Sequence, residues 1–91
     1  MDERFLSVNA REFTSRVAAH NALRAVLGAE NYYGSNLDAL HDCLTSICEK
    51  TTLRVYNWSA AAHKLGRYSD SLWRVLSDSQ KENKLLDVII D

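Results

Sequence analysis

Residues 85–90, LLDVII, close the chain with a run that is apolar at five of six positions. A run this short and this rich in β-branched residues reads as a strand, and its near-continuous apolarity is the pattern of a strand buried on both faces, as in parallel sheets covered by helices. Two segments upstream share strand character: residues 5–8 (FLSV) and residues 51–58 (TTLRVYNW), the latter dense in β-branched and aromatic side chains. Roughly 40 and then roughly 25 residues of mostly helical pattern separate the three, far more than a hairpin needs, so the strands must be joined by crossovers. The expected fold is α/β: a small three-stranded parallel β-sheet with right-handed crossovers, packed with about four helices.

The intervals carry the helices. Thr14 or Ser15 is placed to N-cap a first helix whose Ala19, Ala22, Leu23, Val26 and Leu27 form one stripe, and Gly28 suits its C-cap. A second helix opens at Ser35 or Asn36, with Leu37, Leu40, Leu44, Ile47 and Cys48 on one side and Asp38, Asp42, Thr45 and Ser46 on the other. Residues 59–65 read as a short Ala-rich helix ended by Gly66, and residues 70–82 as a fourth helix with Leu72, Trp73, Val75 and Leu76 apolar. Tyr33, Cys43, Trp58 and Trp73 are expected in the core.

The 91 residues suffice for one hydrophobic core and leave no room for a second, so residues 1–91 are expected to form one domain. With 46% apolar and 25% charged residues and no proline, the chain should fold along its whole length. No apolar run approaches a membrane span, and the N-terminus lacks a signal-peptide core, which makes cytoplasmic residence the expectation. Cys43 and Cys48, five apart on one expected helix, lie too far around it for an unstrained bridge and should both be reduced. His20, His41 and His63 each stand alone, so no metal and no cofactor are assigned. A net charge of −1 without a basic stripe argues against direct nucleic-acid binding.

That overall charge hides an asymmetry. Residues 28–50 hold four acids and one base, a local balance of −3, while the rest of the chain is at +2. Asp38 and Asp42 stand four apart on the outer face of the second helix, an arrangement suited to meeting a cation-lined site.

The stretch around them, residues 32–45 (YYGSNLDALHDCLT), resembles the YYGxNLDALxDCLT signature of the barstar family, intracellular inhibitors of the secreted ribonuclease barnase. The resemblance is dense there and looser over nearly the whole chain, and the family's fold is a three-stranded parallel sheet with helices packed on it. It implies a binding protein without catalysis, a monomer when free, that forms a one-to-one complex with a small basic extracellular ribonuclease. By position, Asp42 matches the aspartate that takes the place of the substrate phosphate, and Asp38 a second acidic contact. Tyr32 matches an aromatic that packs on the partner, Gly34 and Asn36 contacts of the turn, Thr45 a contact at the helix end, and Asp78 an acidic contact of the last helix. Five positions depart from the family: His41 stands for a bulky aromatic, Ser46 for a glycine, Ile47 for a tryptophan, Asp78 for a glutamate and Ser35 for an acid. His41 and Ser46 lie on the rim of the implied contact surface and bear on partner choice.

These residues also have readings that need no partner. Ser35 and Asp38 fit a capping box, worth ~0.5–2 kcal/mol of helix stability. Asp42 lies beyond the first turn, where the helix-dipole benefit has faded, and is then a solvated or a contacting carboxylate. His41 falls at the border of the apolar face. A rival reading keeps the fold and turns the acidic helix against another basic toxin or enzyme, as an immunity or regulatory module. A general acid/base pair made of Asp38 and Asp42 is disfavoured, because an exposed helix face lacks the desolvated pocket that raises one carboxyl's pKa.

Overall fold

The computed structural model describes residues 3–28 and 34–91. Its order is β1 (Arg4–Asn9), a 3-10 turn (Ala10–Glu12), α1 (Arg16–Leu27), α2 (Leu37–Thr45), β2 (Thr51–Tyr56), α3 (Trp58–Leu65), α4 (Arg67–Glu82) and β3 (Leu86–Ile90). The three strands form one parallel sheet in the order β1-β2-β3, with Leu6, Leu53 and Val88 abreast in the central row and Val8, Val55 and Ile90 in the next. The α/β class, the parallel sheet and the four helices are as expected, and β2 is the central strand.

Local chemistry accounts for the helix ends. The side chain of Ser15 accepts from Ala18 N at 3.0 Å, that of Asn36 from Ala39 N at 2.8 Å, and Gly28 closes α1 with its N–H on Arg24 O at 2.9 Å. Asn57 adopts a left-handed conformation (φ 60°) between β2 and α3, held by its Nδ2 donating to Asn9 Oδ1 at 3.0 Å. That turn ends β2 at Tyr56 and makes Trp58 the first residue of α3, two residues short of the expected strand end. Gly66, at φ 57°, joins α3 directly to α4, which therefore begins at Arg67 and not at residue 70.

The helices cover only one face of the sheet. Val8, Thr51, Leu53, Val55 and Leu86 point into the core with Phe13, Leu23, Leu40, Leu44, Leu72 and Leu76. The opposite face is open: Phe5 is 73% and Ile89 47% exposed, beside exposed Ser7, Arg54 and Asp87. This corrects the expectation of two-sided burial for residues 85–90. In-and-out alternation was present in the run, since Asp87 is its one charged position and shares a face with Ile89. Polar contacts populate that face: Arg54 donates twice to Asp91 at 3.2 and 3.1 Å and lies over the Tyr56 ring, and Lys50 sits 3.5 Å from Asp87.

Two other core assignments are corrected. Trp73 is 48% exposed, packing edge-on to the half-buried Trp58 at 6.1 Å while Leu72 and Leu76 take the buried stripe of α4. Cys48 is exposed because α2 ends at Thr45, so the residue lies past the helix and not on its apolar face. Cys43 is buried, and both thiols are free. Tyr33 lies outside the described residues. Among the described residues, no helix is long and apolar enough to cross a membrane.

Candidate functional site

Helix α2 has nine residues, too few to persist without tertiary support, and its inner face is fully committed to the core through Leu40, Cys43 and Leu44. Its outer face is thereby fixed in orientation. Asp38 falls in the first turn and Asp42 one turn later, both exposed, and the side chain of Asp42 is 81% accessible. Since Asn36 is the N-cap, Asp38 is not the far member of a box begun by Ser35; among the described residues no hydrogen bond or ion pair engages its carboxylate. The helix dipole favours an acid at that position, so the cost of leaving it unpaired is small.

The turn before α2 is shaped by its backbone. Gly34 has φ +83°, and a Cβ there would stand 3.1 Å from Asn36 Nδ2, so both conformation and space favour glycine. Arg24 of α1 donates from Nη2 to Gly34 O at 2.6 Å and reaches Ser35 Oγ at 3.4 Å, while its Nη1 donates to Asn21 Oδ1. Tyr32 lies outside the described residues.

At the other end, Thr45 donates its hydroxyl to His41 O at 2.8 Å and Ser46 to Asp42 O at 2.6 Å. Both hydroxyls spend their proton on helix carbonyls and keep acceptor capacity. The buried Asn83 closes the helix from below: its Nδ2 donates to Leu44 O and Ile47 O, both at 3.0 Å, and its Oδ1 accepts from Leu85 N at 3.0 Å. One carboxamide therefore ties the end of α2 to the junction between α4 and β3.

Helix α4 packs along α2 and brings Asp78 and Glu82 beside its acids. His41 bridges the two helices, its Nε2 2.7 Å from Glu82 Oε2 and its Nδ1 3.9 Å from Asp42 Oδ1. The hydrogen bond to Glu82 chiefly raises the imidazole above its ordinary pKa; burial, the next effect, opposes it, and the fields of Glu82, Asp42 and Asp78 add to the rise. Asp78 is exposed on the outer side of α4, in a shallow groove with Asp70, Trp73, Arg74, Ser77 and Lys81. The arrangement is thus an exposed acidic ridge of Asp38, Asp42, Asp78 and Glu82 with His41 among them. Among the described residues no group of His, Cys, Asp and Glu could hold a metal ion.

Of the residues expected at the site, Asp38, His41, Asp42, Thr45 and Ser46 share the outer side and end of α2, Gly34 and Asn36 form its entry, and Asp78 joins from α4. Arg24, Glu82 and Asn83 went unread in the sequence, because each acts through a contact to an element elsewhere in the chain. The family model described as "Barstar (barnase inhibitor)" matches residues 3–90. The chain is also 35% identical over 82 residues to a Bacillus subtilis (strain 168) protein named "Putative ribonuclease inhibitor YrdF", an alignment covering 89% of this chain and 90% of that protein.

Proposed function

The chain belongs to the barstar family, and from that premise we propose that it inhibits a small basic ribonuclease by seating the acidic ridge of α2 and α4 in the enzyme's active site. As a barstar-family inhibitor it is not an enzyme. A ribonuclease holds a phosphodiester with cationic donors. A protein carboxylate in the same place gains charge-assisted hydrogen bonds and excludes the substrate. Asp42 takes the phosphate's role, Asp38 and Asp78 pair with flanking cations, and Tyr32, Gly34, Asn36, His41, Thr45 and Ser46 complete the contact. The complex is one-to-one, formed inside the cell that makes the enzyme.

The observation that carries this reading is Asp42: its side chain is 81% exposed on a helix whose opposite face is fully buried, and among the described residues its closest approach to a basic group is the 3.9 Å to His41. Such a carboxylate is left largely to solvent and open to a cationic partner. The test is RNA cleavage by barnase and by related small basic ribonucleases, titrated with the purified protein. Inhibition that saturates at one equivalent is expected. Full cleavage at equimolar protein and at large excess would reject the reading and leave the module for another basic toxin as its successor.

A further inference from the structure

His41 stands in the middle of a surface that the proposed function dedicates to cations, yet it is itself basic. Its surroundings favour one of its two charge states. A neutral imidazole has one N–H, and its second nitrogen is an acceptor that would repel a carboxylate oxygen. Here Nε2 lies 2.7 Å from Glu82 Oε2 and Nδ1 lies 3.9 Å from Asp42 Oδ1, so both nitrogens face carboxylates from two different helices. The arrangement suits the imidazolium, with a donor on each side. The charged groups that face the ring are Glu82 and Asp78 from α4 and Asp42 from its own helix, all negative.

We propose that recognition at this surface is coupled to the proton on His41: the imidazolium is an internal counter-cation for Asp42 and Glu82, and the ribonuclease binds at full strength only when that proton leaves. The inference rests on the reading of the ridge as the ribonuclease-binding surface. Two effects act in the same direction. Cations of the enzyme brought against the ridge repel the imidazolium, and any that engage Glu82 or Asp42 remove the carboxylates that hold the proton in place. The complex therefore favours neutral His41, the free protein favours charged His41, and by linkage the affinity must rise with pH across the range where the free protein titrates. Because the three carboxylates raise the imidazole in the free protein, that range lies above the ordinary ~6.5.

The experiment has an arm that needs no partner. Imidazole NMR across pH 5 to 9 on the free protein should place the His41 midpoint above ~6.5 in the wild type and lower in Glu82→Gln. A wild-type midpoint at or below ~6.5 overturns the proposal. In the second arm, calorimetric titration of barnase into the protein in phosphate and in Tris at pH 7 counts the protons released. Wild type should release more than His41→Gln, and the ratio of their dissociation constants should change by up to about tenfold per pH unit below the His41 midpoint, with wild type losing affinity faster. Histidines of the enzyme contribute equally to both and cancel in the comparison. Equal proton counts and parallel pH profiles, with both proteins inhibiting, overturn the coupling and leave the inhibitor reading intact. Failure of the wild-type protein to inhibit any basic ribonuclease removes the inhibitor reading and the coupling with it.

Discussion

Asn83→Ala removes a side chain that no sequence pattern singles out and that closes the working end of α2. Three hydrogen bonds go with it, from Nδ2 to Leu44 O and Ile47 O and from Leu85 N to Oδ1, each 3.0 Å long. A hydrogen bond contributes ~0.5–1.5 kcal/mol net, and a buried polar group left without a partner costs ~1–3 kcal/mol. Since water can reach part of this junction, beside the exposed Lys84 and Leu85, we expect a total loss of ~2–4 kcal/mol. A chain of this size has ~5–14 kcal/mol to lose, so the melting temperature should fall by at least about 10 °C. Urea titration followed by tryptophan fluorescence measures the change. Asn83→Asp sharpens the argument, because it keeps the volume and replaces the donor with a carboxylate facing two carbonyl oxygens; it should be at least as damaging at neutral pH as alanine. A loss under ~1 kcal/mol for Asn83→Ala, or a wild-type melting curve for Asn83→Asp, would refute the claim that the carboxamide holds α2 in place.

Four further outcomes are expected. In an alanine scan read by ribonuclease inhibition, Asp42→Ala should cost the most, ~2–5 kcal/mol, a general range for truncating one side of a buried charge pair to which the barnase–barstar pair itself contributes. Asp38→Ala should follow, then Asp78→Ala, and a neutral Asp42→Ala would overturn the site. The association rate should fall steeply as ionic strength rises past physiological, where the Debye length drops below ~8 Å, with dissociation less affected; a rate flat with salt would reject electrostatic steering. His20, fully buried with Nε2 2.6 Å from the Tyr68 hydroxyl, has its pKa lowered by burial and then by Arg24. Its contribution to stability is complete above the unfolded value of ~6.5 and is lost as pH falls through its lower folded value, whereas that of His41, with a raised pKa, is complete below ~6.5 and is lost as pH rises through its folded value. Denaturation midpoints from pH 5 to 9 should therefore peak near 6.5 in wild type, and His20→Gln should flatten the acid side only.

The parts of the fold that were legible in the sequence are those written in neighbouring residues. Ser15, Gly28 and Asn36 cap helices through bonds that span three or four positions, and the stripe of Leu40 and Leu44 is set by the helical period, so sequence spacing carries both. The open face of the sheet was obscured because Ile89 and Phe5 are apolar and exposed, and burial of an apolar residue is a tendency that a sheet covered on one side does not have to satisfy. Trp73 was misread for a related reason: α4 is 16 residues long, and its buried stripe through Leu72, Leu76 and Ser79 leaves the tryptophan one position off the core, where its ring rests on Trp58. At the candidate site, the acids of α2 could be placed because they share a helix. The bonds from Arg24, Glu82 and Asn83 join residues 10 to 41 positions apart and leave no periodic trace.

Holding an acidic ridge ready for a cationic partner works against the helix that bears it. Asp38 and Asp42 lie at i and i+4, where like charges destabilise, and α4 adds Asp78 and Glu82 alongside. A nine-residue helix has little intrinsic stability to set against this, so its order must be imposed from outside. Burial of Leu40, Cys43 and Leu44 imposes it from below, and three polar contacts hold its ends and middle. Arg24 grips the entry at Gly34, Asn83 grips the exit at Leu44 and Ile47, and His41 joins the middle to Glu82. The two end contacts bond to backbone carbonyls and engage none of the ridge carboxylates, so they keep the ridge pre-organised in the free and bound states and spare association part of its ordering cost. The middle contact is different, because it spends two of the carboxylates on a proton. It stabilises the free ridge by lowering its net charge, and for the same reason it is the one contact that a cationic active site would displace. The division of labour predicts that loss of an end contact, as in Asn83→Ala, weakens folding and inhibition together, whereas His41→Gln weakens the free fold while sparing inhibition at low pH. If His41→Gln instead lost both in parallel, the middle contact would be only a third structural brace.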